Sequence, residues 1–261
     1  PEGSKTSKGR AIQNLINIEQ DDKVKAFINT QDLKDTEYVN SHYVVMATKK
    51  GQIKKTSLEK YSRPRINGIN AITIKENDEL LEAKLTNGNS EILMAVKSGK
   101  AIRFEESKTR PMGRSASGVR GIKLKDDDDK VIGMVSVNNL STDILVVSKN
   151  GYGKRSSLED YRITNRGGKG VKTISITDKT GSLVAIKNVC DDNDLMIINK
   201  SGIAIRMSVE KLRVMGRATQ GVKLINLKGE DTIAAVAKVI KEEESDEDSQ
   251  ENLLENEDLS L

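Results

Sequence analysis

An all-β, propeller-like array of repeated blades is the fold class that this sequence predicts, and three observations predict it. First, a strand-like apolar run ending in a Lys/Ser/Asn-Gly turn occurs four times: residues 43–48 before Gly51, 91–96 before Gly99, 143–148 before Gly151 and 194–199 before Gly202. These glycines lie 48, 52 and 51 residues apart, a period that belongs to propeller blades and similar arrays. Second, each copy keeps one order: apolar strand, Gly turn, shorter strand carrying cations, basic Gly-containing loop, alternating strand, acidic turn, last apolar strand. Four short strands per repeat is what a blade requires. Third, the apolar content lies in Val, Ile, Leu and Met, while aromatics make up 3% and Trp is absent. Val and Ile suit pleated, half-buried surfaces.

Taken in order, the first 36 residues read as the second half of a further copy. Residues 7–15 match the basic loop and alternating strand, and residues 24–28 supply its last strand. The missing first half, with Pro1 in place of a starting Met, points to a fragment of something longer. Complete units follow near 43–90, 91–142, 143–193 and 194–240, giving one domain over 1–240. Their alternating strands are expected at 69–74, 119–124, 171–176 and 222–227, with every second residue mostly apolar. Acidic or polar turns such as 125–130 and 177–181 then lead into last strands at 131–137 and 182–187. Residues 241–261 carry too little apolar content to order themselves and are expected to form a disordered acidic tail.

The net charge of +4 conceals a division. Of 43 basic and 39 acidic residues, one and ten lie in 241–261, which leaves 42 against 29 and a net of +13 over 1–240. A basic body with an acidic tail points to a polyanion as partner. The single cysteine, Cys190, excludes an internal disulfide framework and suggests a reducing compartment. No apolar run is long enough to span a bilayer.

The cations recur in register. After the Gly turns come Lys54 and Lys55, Arg103, Lys154 and Arg155, and Arg206. In the basic loops come Arg63 and Arg65, then Lys108, Arg110 and Arg114, then Arg162, Arg166 and Lys169, then Lys211, Arg213 and Arg217. On a disc of blades, equivalent positions share one height, so these charges would form a belt able to follow a bent duplex. Bending a short DNA site costs roughly 1–6 kcal/mol, which phosphate contacts must offset. Scarce aromatics argue against stacking on unpaired bases. Any one surface cation is more often simple solvation, but recurrence shifts the balance for the set. The loop Thr164–Val171, with Arg166-Gly167-Gly168-Lys169-Gly170, has the composition of a phosphate cradle. Glycines 51, 99, 151 and 202 are read as turn residues.

Catalytic signals are largely absent. Gly113 and Gly118, or Gly216 and Gly221, have P-loop spacing, but Val119 and Val222 stand where its lysine belongs. The lone His42 reads as a surface residue, Cys190 as a buried or idle thiol, and Asp126 to Asp129 as a solvated turn lacking the spaced ligands of a calcium loop.

With these residues in view, the chain resembles the C-terminal domain of the A subunit of bacterial DNA gyrase. The resemblance covers nearly all of it: the Gly turns followed by cations, the Gly-Arg-x-x-x-Gly-Val loops at 113–119 and 216–222, the opening Ser4-Lys5-Thr6-Ser7-Lys8-Gly9-Arg10, and the acidic tail. It implies a β-pinwheel, a propeller-like disc that wraps double-stranded DNA around a basic perimeter with little sequence specificity. It also implies a non-catalytic role here within an ATP-dependent, Mg2+-using type II topoisomerase, DNA gyrase, whose B subunit and second A subunit are partners in the bacterial cytoplasm and nucleoid. Arg166–Gly170 reproduces the last five positions of the family's Gln-[Arg/Lys]-Arg-Gly-Gly-[Arg/Lys]-Gly box, with Thr164 and Asn165 in place of the first two, in a late unit. The strand-cleaving tyrosine, metal site and ATPase of that family lie outside this chain, so no catalytic role falls to Tyr38, Tyr43, Tyr61, Tyr152 or Tyr161. Two alternatives are the equivalent domain of topoisomerase IV and a kelch-like protein-interaction propeller. The latter would be expected to show aromatic anchors.

Overall fold

A computed structural model describes residues 8–9, 22–65 and 67–240. A short helix, α1 (Thr36–Ser41), precedes fifteen strands: β1 (Tyr43–Thr48), β2 (Gln52–Ser57), β3 (Leu80–Thr86), β4 (Glu91–Val96), β5 (Lys100–Glu105), β6 (Val119–Arg120), β7 (Val131–Val137), β8 (Asp143–Ser148), β9 (Tyr152–Ser157), β10 (Val171–Lys172), β11 (Leu183–Val189), β12 (Asn193–Asn199), β13 (Ala204–Ser208), β14 (Val222–Lys223) and β15 (Ile233–Ile240). The strands form four antiparallel sheets in the orders β3-β1-β2-β6, β10-β5-β4-β7, β11-β8-β9-β14 and β13-β12-β15.

Sheet and repeat do not coincide. Each repeat builds three strands of its own sheet, and the second, third and fourth each donate a further strand to the sheet before, so β6 closes the first sheet on β2, β10 the second on β5, and β14 the third on β9. The donated strands are two residues long instead of the expected six. The reason is local: the carbonyls of Gly51, Gly99 and Gly151 capture the next N–H groups, from Gly121, Thr173 and Leu224. The chain then turns inward, and Ile122 and Ile174 become core residues. Residues 69–74 form no strand, and Thr73 N donates to Ala116 O of the following loop instead. The expected strand at 24–28 is also absent; Ala26 and Ile28 pack on the first sheet without pairing. Most of residues 7–15, and all of 241–261, lie outside the described residues.

The sheets stack face to face, with one apolar cluster between each neighbouring pair. Val45, Met94 and Phe104 belong to the first interface, Leu93, Val146 and Tyr161 to the second, and Leu145, Leu195 and Val236 to the third. A sheet covered on both faces buries consecutive residues, which is why β4 and β8 read as unbroken apolar runs. β13 and β15 bury far fewer, because the last sheet has one open face. The last strands of each unit, β3, β7, β11 and β15, pack successively on one another and form the hub, which places β6, β10 and β14 at the periphery.

Candidate nucleic-acid interface

The cations anticipated from sequence separate into two populations. Five are inside the fold: Lys54, Lys55, Arg103, Lys154 and Arg155 are all buried. This removes them from the surface belt anticipated for them. In β2, β5, β9 and β13 the fourth residue after the turn glycine is Lys55, Arg103, Arg155 or Arg206, and its partner stands twelve residues earlier, at the head of the preceding strand. Arg103 Nε donates to Glu91 at 2.6 Å, Arg155 Nε to Asp143 at 2.7 Å and Arg206 Nε to Asp194 at 2.7 Å. In the first repeat Tyr43 takes the acid's place, and Lys55 lies over its ring at 4.1 Å while pairing with Glu106 at 2.9 Å.

The same cations tie blade to blade. Arg103 Nη1 donates to the carbonyls of Leu158 and Tyr161 at 2.8 and 2.9 Å, and Arg155 Nη1 to that of Val209 at 3.2 Å, all in the following repeat. One residue earlier, Lys54 donates to the carbonyls of Ala71 and Arg114, and Lys154 to that of Gly216 at 2.6 Å. Burial pushes both ammonium groups down to about 8, with neighbouring Arg114 and Arg217 adding to the effect and Asp160 opposing it at Lys154. Arg206 differs. It is bonded to Asp194, yet its side chain is 55% exposed because no further repeat covers it among the described residues.

The loop Thr164–Val171 is organised by the chain, not by a ligand. Thr164 N donates to Arg103 O at 2.9 Å and Gly167 N to Gly121 O at 2.6 Å, so these donors are unavailable to a phosphate. Gly170 has φ +69°, and a Cβ there would stand 2.5 Å from Ala101 O; its counterparts Gly118 and Gly221 meet Ile53 O and Gly153 O at the same distance. These glycines let the donated strand approach its host. Arg166 and Arg217 are clamps: Nε and Nη1 of Arg166 donate to Lys108 O and Arg120 O at 2.9 and 3.1 Å, and those of Arg217 to Asp160 O and Lys172 O at 2.9 and 2.8 Å. Arg114 holds the same place in the second repeat and is likewise half-buried.

What remains outside is a set of exposed side chains at the periphery: Arg63, Arg65, Lys108, Arg110, Arg162, Lys169, Lys211 and Arg213. Arg110, Arg162 and Arg213 are equivalent, eight residues before the glycines just described. Each precedes a residue bridged to the strand that hosts the donated one in the previous sheet, Pro111 to Lys55, Ile163 to Arg103 and Val214 to Arg155. A second row was missed from sequence. Arg120, Lys172 and Lys223 are exposed on the donated strands β6, β10 and β14, and the repeated Gly-Val-[Arg/Lys] triplet was the signal that could have found them. Among the described residues, Lys108 reaches only a distant ion pair with Glu105, at 3.9 Å.

Three further residues need correction or placement. Cys190 is exposed, with Sγ 3.3 Å from Asn193 Oδ1. Asp129 is not a solvated turn residue but is buried, its carboxylate accepting from Ser98 N, Ser98 Oγ and Lys125 N. His42 closes α1, its ring 4.3 Å from that of Tyr38.

Against known proteins, the profile of the DNA gyrase C-terminal domain, a β-propeller, matches residues 42–87, 90–138, 142–190 and 193–240. The DNA gyrase A subunit of Staphylococcus aureus (strain NCTC 8325 / PS 47) is 42% identical over 261 residues, covering 99% of this chain and 29% of that protein. Its counterpart in Staphylococcus epidermidis (strain ATCC 12228 / FDA PCI 1200) is 43% identical over 246 residues, 94% of this chain and 27% of its own length. The chain thus spans under a third of these relatives. Among solved structures, a DNA gyrase A C-terminal domain superposes with a TM-score of 0.78 at 25% identity, over 90% of this chain and 76% of that one. The C-terminal domain of DNA topoisomerase IV gives 0.81 at 22% identity, over 89% and 71%, a likeness that speaks to fold alone. The sequence relatives therefore favour gyrase over the topoisomerase IV alternative, and no kelch-like reading is needed. This chain belongs to the DNA gyrase C-terminal domain family.

Proposed function

We propose that this domain binds double-stranded DNA along its periphery and bends it, without base recognition, so that the enzyme carrying it can introduce negative supercoils. The observation that carries the reading is the pair of equivalent rows, Arg110, Arg162 and Arg213 beside Arg120, Lys172 and Lys223, exposed on successive blades. Arg63, Arg65, Lys108, Lys169 and Lys211 extend them. A rigid series of blades holds the charges at fixed separations, so the duplex, not the protein, deforms to follow them. Each neutralised phosphate releases counterions, which favours binding at low salt and offsets the bending cost. Lys54, Lys55, Arg103, Lys154 and Arg155 serve this indirectly by fixing one blade against the next, and Arg114, Arg166 and Arg217 by fixing the loops.

The ATP and Mg2+ of such an enzyme find no fit here. Gly167 N is already committed, and among the described residues no group of three or more His, Cys, Asp or Glu side chains converges on one point. Their place, like that of DNA cleavage and of contacts to the gyrase B protein and to a second copy of the gyrase A protein, is in the remainder of the enzyme. A domain acting on DNA would be expected in the bacterial cytoplasm at the nucleoid. Among the described residues no helix is long and apolar enough to cross a membrane. Ligating nicked circular DNA in the presence of the domain tests bending into a handed path. The topoisomer distribution is expected to shift with protein concentration; an unshifted distribution at saturating binding contradicts the wrapping part of the reading.

A further inference from the structure

Charge at the periphery is shared unevenly between blades. Wherever a donated strand meets its host, four side chains hold equivalent places: the first residue of the host strand, the exposed cation paired opposite it, the residue whose N–H staples the repeat to the next loop, and the loop residue before the close-approach glycine. At the first sheet these are Gln52, Arg120, Thr73 and Ser117, and at the third Tyr152, Lys223, Ser175 and Gln220. At the second sheet all four are lysines: Lys100, Lys172, Lys123 and Lys169.

The backbone keeps these four close. Lys100 and Lys172 are register partners on adjacent antiparallel strands, where opposed Cβ atoms stand about 4.5–5.5 Å apart. Lys123 N donates to Gly168 O at 2.9 Å, which sets Lys123 beside Lys169, and Lys100, Lys123 and Lys169 line one cleft. Lys123, Lys169 and Lys172 are exposed and Lys100 is half-buried, so all four reach solvent. The nearby acids are engaged elsewhere. Asp129, in the same cleft, is buried and accepts from Ser98 N, Ser98 Oγ and Lys125 N, while Asp126 in the exposed turn pairs with Lys125 at 3.7 Å. Among the described residues none of the four lysines has an ion-pair partner. Like charges opposed across a strand pair destabilise it, and a polyanion laid over them relieves that cost. A duplex carries one charge per about 1.7 Å of its axis, so it meets separate cations in succession and does not require them to converge.

We propose that the second sheet is the anchor of the duplex: Lys100 and Lys123, with Lys169 and Lys172, grip phosphates more strongly than the matching places on the first and third sheets. This deepens the reading that the periphery binds double-stranded DNA, and rests on it. The test uses the full chain and a hairpin duplex of about 10 base pairs, far below the persistence length of about 150, so that grip is read apart from bending. Lys100→Gln/Lys123→Ser installs side chains that the first and third sheets carry at those places. At low ionic strength its affinity is expected to fall at least about fivefold, and the slope of log binding constant against log salt to become shallower by about 2. The same loss of charge elsewhere, in Lys211→Gln/Lys223→Gln, is expected to weaken binding by less than about twofold. Should Lys100→Gln not fold, Lys123→Ser/Lys169→Ser, both at exposed positions, carries the same expectation. Equal losses from the two charge-matched variants, or parent affinity in Lys100→Gln/Lys123→Ser, overturn the anchor and leave duplex binding by the periphery standing. A parent chain that does not bind the duplex overturns that peripheral reading, and the anchor with it.

Discussion

Lys54 and Lys154 show why a cation in the right sequence position need not be a binding residue. Each stands three residues after a turn glycine on a strand with sheets on both sides, and each is fully buried with its ammonium on carbonyls of the next loop. Ile102 takes the equivalent place in the second sheet, where the facing loop has Gly168, 3.5 Å from the Ile102 methyl by way of a notional Cβ. Alternation of Lys with Ile at one register position is a packing signal, legible only once the two-sided burial is known. It has a pH consequence. Both lysines are held at about 8 in the fold against 10.5 when exposed, so between those values the unfolded chain binds more protons and stability rises with pH. Tyr161, pushed up to about 12 by burial, acts oppositely: above pH 10 the unfolded chain loses a phenolic proton that the fold keeps, and stability falls. Thermal melting should therefore show an optimum near pH 10, and Lys154→Met should flatten the rise from pH 8 to 10. An identical pH profile in that variant would refute the assignment. Gly170→Ala sets a left-handed φ and a Cβ 2.5 Å from Ala101 O against the fold; a loss of about 1–3 kcal/mol in denaturant unfolding is expected.

Among elements, the donated strand explains what the sequence could and could not disclose. Repeat period, strand order and turn glycines were legible because each leaves a local pattern. That the fourth strand leaves its own repeat was not, since a two-residue pairing such as Val171–Lys172 on Ala101–Lys100 has no periodicity to detect. For the same reason the site was only partly legible. Spacing puts Arg110, Arg162 and Arg213 on the surface, but it also assigns Arg103 and Arg155 to the belt, because the acids that hold them, Glu91 and Asp143, stand twelve residues away on another strand. The clamps give a direct check on this division. Arg166→Ala removes bonds to Lys108 O and Arg120 O and should lower unfolding stability by about 1–2 kcal/mol, whereas Lys169→Ala, an exposed residue of the same loop, should leave melting within about 0.5 kcal/mol of the parent. Equal stability losses would mean that the two residues do not divide labour as the geometry says.

For the whole molecule, the arrangement is a stack in which every sheet needs its successor. Gly99 shows the covered case, where a Cβ would meet Ile174 O at 2.9 Å, and Gly202 the uncovered one, where it would meet nothing within 4 Å. The last sheet accordingly has three strands, an exposed β13 and Ile203 at 55% exposure. Local opening should begin there, so amide exchange in β13 is expected to be faster than in β5 or β9 at equal pH; equal protection would show that a further strand covers it in solution. On the proposed function, rigidity in the first three sheets would hold the exposed charge rows at fixed separations against a bent duplex. The proposed function requires that those rows, and not the buried cations, meet the phosphates. The slope of log binding constant against log salt for a duplex measures this most directly, in the parent and in Arg110→Ala/Arg162→Ala/Arg213→Ala. Loss of three phosphate contacts should make the slope shallower by about 2–3 with melting unchanged; a triple variant with the parent's slope and affinity would show that the rows do not meet the phosphates.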